Sequence, residues 1–163
     1  SSGVAVVNVG GLTDADVVER KHRIDDALKA ITAAREEGIL PGGGSFLLHA
    51  AELAKENLNL EGTLALGANI VFVACQAPFR KMCVNAAVSP DVAYNTVRNN
   101  YLSSSDSLAY AGGYDFINDC AVENMINHGV VDPAKVARIA LENAVSAAGI
   151  LITANKAIIE VDN

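Results

Sequence analysis

His22-Arg23-Ile24-Asp25-Asp26-Ala27-Leu28-Lys29-Ala30, running on to Ile39-Leu40-Pro41-Gly42-Gly43-Gly44, decides how the chain is read. Val17, Ile24, Leu28 and Ile31 recur at helical spacing and predict an amphipathic helix. Each helical residue turns by about 100°, so Asp26 falls nearly opposite that stripe and faces away from the helix's own core. For the same reason Asp25 and Asp26 diverge by about 100° and cannot form one acid–base dyad. Gly38 predicts a left-handed helix end, Pro41 bars an easy continuation, and the glycine run lets backbone approach another surface closely. Spacing alone leaves two readings of Asp26 open. It is either a solvated residue paired with His22, Arg23 or Lys29, or a catalytic carboxylate beside a ligand-contacting turn.

The chain has 163 residues, 51% of them apolar, enough for one ordinary domain with a sizeable core. Its net charge of −7 and the lack of a basic cluster with interleaved aromatics argue against nucleic acid as a partner. The longest apolar run, residues 68–75, contains Asn69 and is too short to span a bilayer, so no membrane partner is expected. Ser1-Ser2-Gly3 has no signal-peptide character and reads as a cut point. Cys75, Cys83 and Cys120 show no ligand or disulfide spacing and suit a reducing compartment, and the scattered His22, His49 and His128 give no metal site.

The patterning predicts a mainly α chain with a few short strands at its ends and near residues 108–116. A strand is expected over 3–11, and Thr13 or Asp14 can cap the helix that ends at Gly38. Further helices are predicted over 45–56, 63–76, 79–87, from Ser89-Pro90 to Val97, over 120–128 with Asp119 as cap, and from 133 to about 152 with Asp132 as cap. The third is apolar nearly all round and is expected to be buried. Residues 98–113 read as a loop or loose hairpin with strands near Tyr110 and Tyr114, and 156–161 as an edge strand.

Several ordered motifs carry a family resemblance. They are Val4-Ala5-Val6-Val7-Asn8-Val9-Gly10-Gly11, Asp25-Asp26-Ala27-Leu28-Lys29-Ala30, residues 33–44, Gln76-Ala77-Pro78-Phe79-Arg80, Gly112-Gly113-Tyr114-Asp115 and residues 129–136. Together they resemble the C-terminal part of a group I chaperonin subunit, the GroEL/Hsp60 family. The resemblance implies a helix bundle of the equatorial-domain type. It assigns residues 1–11 to an apical-edge strand, 12–38 to the intermediate domain and 39–163 to the second half of the equatorial domain. It also implies a ring-forming, ATP-dependent folding chaperone, with ATP and magnesium as cofactors. Implied partners are identical subunits in a heptameric ring, unfolded clients and a co-chaperonin, in the bacterial cytoplasm or an organelle matrix. Asp26 matches the aspartate that positions the attacking water, and Gly43 the glycine packed against the nucleoside. Asp132 matches the acid that accepts from the ribose hydroxyls. Asp115, followed by Phe116 and Ile117, matches the segment beside the adenine.

The sequence departs from that pattern in places. Phe116 and Ile117 stand where the family usually has two alanines, and one extra residue lies between Tyr114 and Asp132. Arg80 is present for the usual ring-to-ring contact, but Ser89 stands at the acidic position. The family's phosphate loop and magnesium-binding aspartate have no counterpart, since Gly42-Gly43-Gly44 lacks the Lys-Ser/Thr of a phosphate loop. The piece alone is therefore expected to hydrolyse nothing. The alternative is a divergent paralogue that keeps the helical scaffold for assembly and binds nucleotide poorly. An unrelated helical enzyme using Asp26 as a base lacks a nucleophile or second acid to work with.

Overall fold

Thr13 starts the first helix. Its hydroxyl accepts from the Asp16 N–H at 3.2 Å while the Asp16 carboxylate accepts from the Thr13 N–H at 3.1 Å, a reciprocal capping box. The computed structural model describes residues 3–103 and 109–156. In chain order these form α1 (Asp14–Glu37), β1 (Ile39–Pro41), α2 (Ser45–Asn57), α3 (Gly62–Cys75), α4 (Ala77–Asn85), α5 (Pro90–Ser103), a short 3-10 turn (Ala109–Ala111), β2 (Gly113–Asp115), β3 (Cys120–Val122), β4 (Val131–Pro133) and α6 (Ala134–Thr153). The fold is mainly α, as the patterning predicts.

Two small antiparallel ladders tie the helices together. In one, β1 pairs with β4, with Leu40 opposite Asp132; in the other, β2 pairs with β3, with Tyr114 opposite Ala121. The core lies where α2, α4, α5 and β2 meet, and consists of Leu48, Phe79, Cys83, Ala93, Val97 and Tyr114. Burying side chains such as Leu48 and Phe79 contributes roughly 1.5–3 kcal/mol each. Helices α1 and α6 lie outside that core, side by side, and neither has a buried residue. Arg138 reaches Glu37 at 3.0 Å and Lys135 pairs with Glu36, both as exposed pairs that salt screens.

Several expectations are corrected. Residues 3–11 form no strand, because no described strand pairs with them; the Gly10 carbonyl instead accepts from the Arg20 guanidinium at 2.7 Å. On the apolar stripe of α1, Leu28 and Ile31 are each 56% exposed, since α6 covers that face only partly. Helix α3 is largely exposed: Leu64 and Ile70 are 71% exposed, Ala65, Ala68 and Phe72 are half-buried and only Cys75 is fully buried. Hydropathy shows that a helix needs cover, not that its own chain supplies it. Helix α5 continues past Val97 to Ser103, because no Gly or Pro stops it. Tyr110 sits in the 3-10 turn rather than a strand.

The helix expected over 120–128 is absent. Residues 120–122 instead return as β3, and Asp119 takes a left-handed φ of 53° to turn the hairpin. Asp132 is not a helix cap either: it lies in β4, and Pro133 caps α6. The edge strand expected over 156–161 falls outside the described residues from 157 on. The helical run Gly62–Asn85 and helix α6 are long and apolar enough to cross a membrane, by length and composition only, which core helices of soluble proteins also satisfy.

The glycine turn gives a direct test of packing. Gly44 has φ 71°, and a Cβ there would lie 3.0 Å from the Phe79 backbone N and Cα. Gly62 has a similar φ of 62° but nothing within 4 Å of such a Cβ. Gly62→Ala should cost only the left-handed penalty of about 1–2 kcal/mol. Gly44→Ala should cost about 2–4 kcal/mol, because overpacking is added to it. Urea unfolding midpoints check this, and equal losses at both sites would refute it.

Candidate nucleotide-facing site

The site is built on the turn between β1 and α2. Its three glycines have different neighbours. A Cβ at Gly42 would lie 3.0 Å from Val130 C and Val131 N, so this glycine lets the β4 backbone approach, and its N–H donates to the Val130 carbonyl at 3.0 Å. Gly44 lets α4 approach, as described. Gly43, with φ 70°, faces a different surface: a Cβ there would lie 3.2 Å from Met125 Cε, 3.6 Å from the Tyr114 carbonyl oxygen and 3.9 Å from Phe116 Cε2. Helix α2 opens directly after this turn, with Gly44 as N-cap and no side chain capping it.

The β2–β3 hairpin supplies the next wall. Tyr114 is buried, and its hydroxyl donates to Asp119 Oδ1 at 2.7 Å, which pushes the phenol up to about 12. Asp115 is buried as well. Its carboxylate accepts from the Ile117 and Asn118 N–H groups, from Asn118 Nδ2 and from His128 Nε2. These donors, the Asn118 side chain foremost and then His128, hold the carboxyl well below the usual range. Phe116 is half-buried and tilts against Tyr114 and Phe79 at ring-centroid distances of 5.4 and 5.7 Å. Ile117, next along the turn, is 93% exposed.

The sequence-derived residues therefore divide into groups. Gly43, Phe116 and the backbone next to Asp115 share one surface. Asp132 reaches the same end of the fold through its ladder partner Leu40, next to the glycine turn. Its residue is solvent-exposed overall, while partial burial of the carboxyl pushes its pKa upward. Asp26 stands apart, exposed on α1 about three turns before the helix ends. It makes no hydrogen bond or ion pair among the described residues, and Arg23, a candidate partner, pairs with Glu19 instead. The solvated-pair reading of Asp26 thus has no contact behind it.

Three residues of the site escape sequence reading: His128, Asn118 and Met125. His128 lies thirteen positions from Asp115, and only the hairpin brings them together. The available signal was Asp115-Phe116-Ile117-Asn118-Asp119, an Asx-rich turn between two apolar stretches.

The TCP-1/cpn60 chaperonin family model matches residues 1–162. This chain belongs to the TCP-1/cpn60 chaperonin family. Among solved structures it is similar to one described as the crystal structure of a group III chaperonin in the open state, with a TM-score of 0.79 and 32% sequence identity. The similarity covers 92% of this chain and 30% of that one, so the chain spans under a third of its solved relative.

One buried group beside the site sets a pH response. His49 is 2% exposed, and its Nε2–H donates to the Gly112 carbonyl at 2.8 Å. Burial pushes the imidazole's pKa below its ordinary value. Its folded pKa is thus depressed: the associated stability is present above the unfolded value of about 6.5 and lost as pH falls toward the folded one. The melting temperature should fall between about pH 7 and pH 5, and His49→Gln should start lower but decline less over that window. Parallel slopes for the two proteins would remove His49 as the cause.

Proposed function

We propose that this chain forms one side of the nucleotide site of an ATP-dependent, ring-forming folding chaperone, and that the full-length subunit is the ATPase. The observation that carries this reading is the left-handed Gly43, whose Cβ position would lie 3.6 Å from the Tyr114 carbonyl oxygen and 3.9 Å from the Phe116 ring, beside the β4 strand that holds Asp132. A nucleoside suits a face built from a glycine turn, an aromatic ring and a neighbouring carboxylate. In this reading Gly43 packs against the nucleoside, Asp132 accepts from the ribose hydroxyls, and the Asp115-Phe116-Ile117 turn borders the base. Asp26 orients the attacking water, which suits a carboxylate that is exposed and unpaired among the described residues. Bound ATP with magnesium supplies the phosphoryl group and the charge neutralisation for that attack.

The residues present fit the nucleoside and water sides of the reaction. They do not fit the phosphate or metal: the glycine turn lacks Lys-Ser/Thr, and among the described residues no three His, Cys, Asp or Glu side chains cluster. Those ligands belong, in this proposal, to the rest of the subunit, and the piece alone turns over nothing. We assign the group I branch on the order and spacing of the motifs from Asp25-Asp26 to Asp132-Pro133; the likeness to a group III structure supports the family without deciding the branch. A homo-oligomeric, heptameric ring with unfolded clients and a co-chaperonin follows from that assignment. Exposed Leu64, Ile70 and Leu151 offer apolar surface for such contacts. Arg80 is engaged by Asp91 at 2.7 Å and lies over the Tyr94 ring, which with Ser89 weakens the usual ring-to-ring pairing. We place the protein in a reducing compartment, cytoplasm or organelle matrix, which suits its three free cysteines.

A second reading has one observation in its favour. The Phe116 ring lies 3.9 Å from where a Gly43 Cβ would be, which suits a divergent paralogue that assembles but binds nucleotide poorly. ATP titration of the full-length protein separates the two.

The catalytic assignment is tested on the full-length subunit. Asp26→Ala should lower ATP turnover by about 10²–10⁴-fold while binding and assembly persist, because only water positioning is lost. Ala is also the better helix former, so α1 should not weaken. Asp25→Ala, about 100° round the helix, should stay within a few-fold. A dead Asp25→Ala enzyme or a fully active Asp26→Ala enzyme would reassign the role.

A further inference from the structure

Four donors converge on one carboxylate. Asp115 Oδ1 accepts from the Ile117 N–H at 2.8 Å and the Asn118 N–H at 3.1 Å, and Oδ2 accepts from Asn118 Nδ2 at 2.7 Å and His128 Nε2 at 2.9 Å. An ionised carboxylate offers about four lone-pair sites, so Asp115 has none left for a ligand. It is an anchor for its turn, not a group that reads a base.

Three of those donors are local. The fourth, His128, comes from the turn after β3, whose own backbone is pinned: the His128 N–H donates to the Asn124 carbonyl at 3.0 Å and the Val130 N–H to the Met125 carbonyl at 2.9 Å. His128 thereby ties one turn to the other. The first carries Phe116 and the second carries Met125, and both meet the surface of Gly43, at 3.9 and 3.2 Å from where its Cβ would be. Gly43 thus meets both turns, and the His128–Asp115 hydrogen bond joins those turns to each other.

We propose that His128 is a positioning residue, which through Asp115 holds the 116–119 turn and Phe116 at the Gly43 surface and so sets the affinity of this face for a nucleoside without touching it. The inference rests on the nucleotide-site reading above and names what regulates that site. The imidazole is 44% exposed on its side chain, so its removal empties no core.

The test uses the full-length chaperonin, with steady-state ATP turnover and amide hydrogen exchange at Ile117 and Asn118. His128→Leu removes the donor, while His128→Gln keeps an N–H of similar reach. His128→Leu should raise KM for ATP by about tenfold, the scale of one hydrogen bond to a charged group, with kcat within about twofold because Asp26 lies on another helix. Exchange at the two turn amides should rise. His128→Gln should restore both readouts, and ring size and melting temperature should stay near wild type. Asn118→Ala, which removes a neighbouring donor from the same carboxylate, should shift KM in the same direction and stands in if His128→Leu does not fold. An unchanged KM in His128→Leu, or a His128→Gln variant as impaired as His128→Leu, overturns the proposal while the nucleotide reading stands. A wild-type protein that binds no ATP overturns the nucleotide reading and this inference's ligand claim together.

Discussion

The pairing of Ile39–Pro41 with Val131–Pro133 is the constraint on which the rest depends. Each strand has three residues, too few to hold together alone. The ladder persists because its ends are extended: the Gly42 N–H reaches the Val130 carbonyl, and the Ala134 N–H reaches the Gly38 carbonyl at 3.0 Å. Gly38 and Gly42 flank β1, and each does what a side-chain-bearing residue would hinder. Gly38 turns the chain out of α1 at positive φ, and Gly42 admits the partner backbone. From this one ladder follow the side-by-side run of α1 and α6, the place of Asp132 and the position of Gly43 against the hairpin.

Three aspartates show how environment divides one chemistry. Asp26 is exposed and unpaired among the described residues, so it keeps its lone pairs for water. Asp132 sits on a strand at the mouth of the glycine turn, open to solvent and available as an acceptor. Asp115 is buried, and its anion is stabilised by four donors, so it serves the backbone around it. Residue type alone does not separate these roles; hydrogen-bond occupancy does.

The distribution of burial has its own logic. The core of Leu48, Phe79, Cys83 and Val97 is small, and α3, α6 and the stripe of α1 keep apolar side chains in solvent. The chain spans 30% of its solved relative, and exposed apolar area of this extent is a surface able to make further contacts. Hydrophobic patterning therefore reads correctly as a demand for contact, and incorrectly as burial within this chain.

By itself the sequence determined what local chemistry settles. A cap at Thr13 or Asp14, the stop at Gly38, the start at Pro90 and the helices expected over 45–56 and from 133 to about 152 were legible, because caps, glycines and apolar periods act within a few residues. The ordered motifs made the family recognisable, and the exposed side of Asp26 was readable from helical phase alone. Only the tertiary structure decided what depends on distant partners. Cys120-Ala121-Val122 became a strand rather than a helix because β2 offered backbone donors and acceptors that a helix of its own would have had to supply. Asp132 left the helix cap for a ladder because β1 lay opposite it. His128, unremarkable in sequence, bonds to Asp115 because the hairpin carries the two together across thirteen positions, an encounter that no local period encodes.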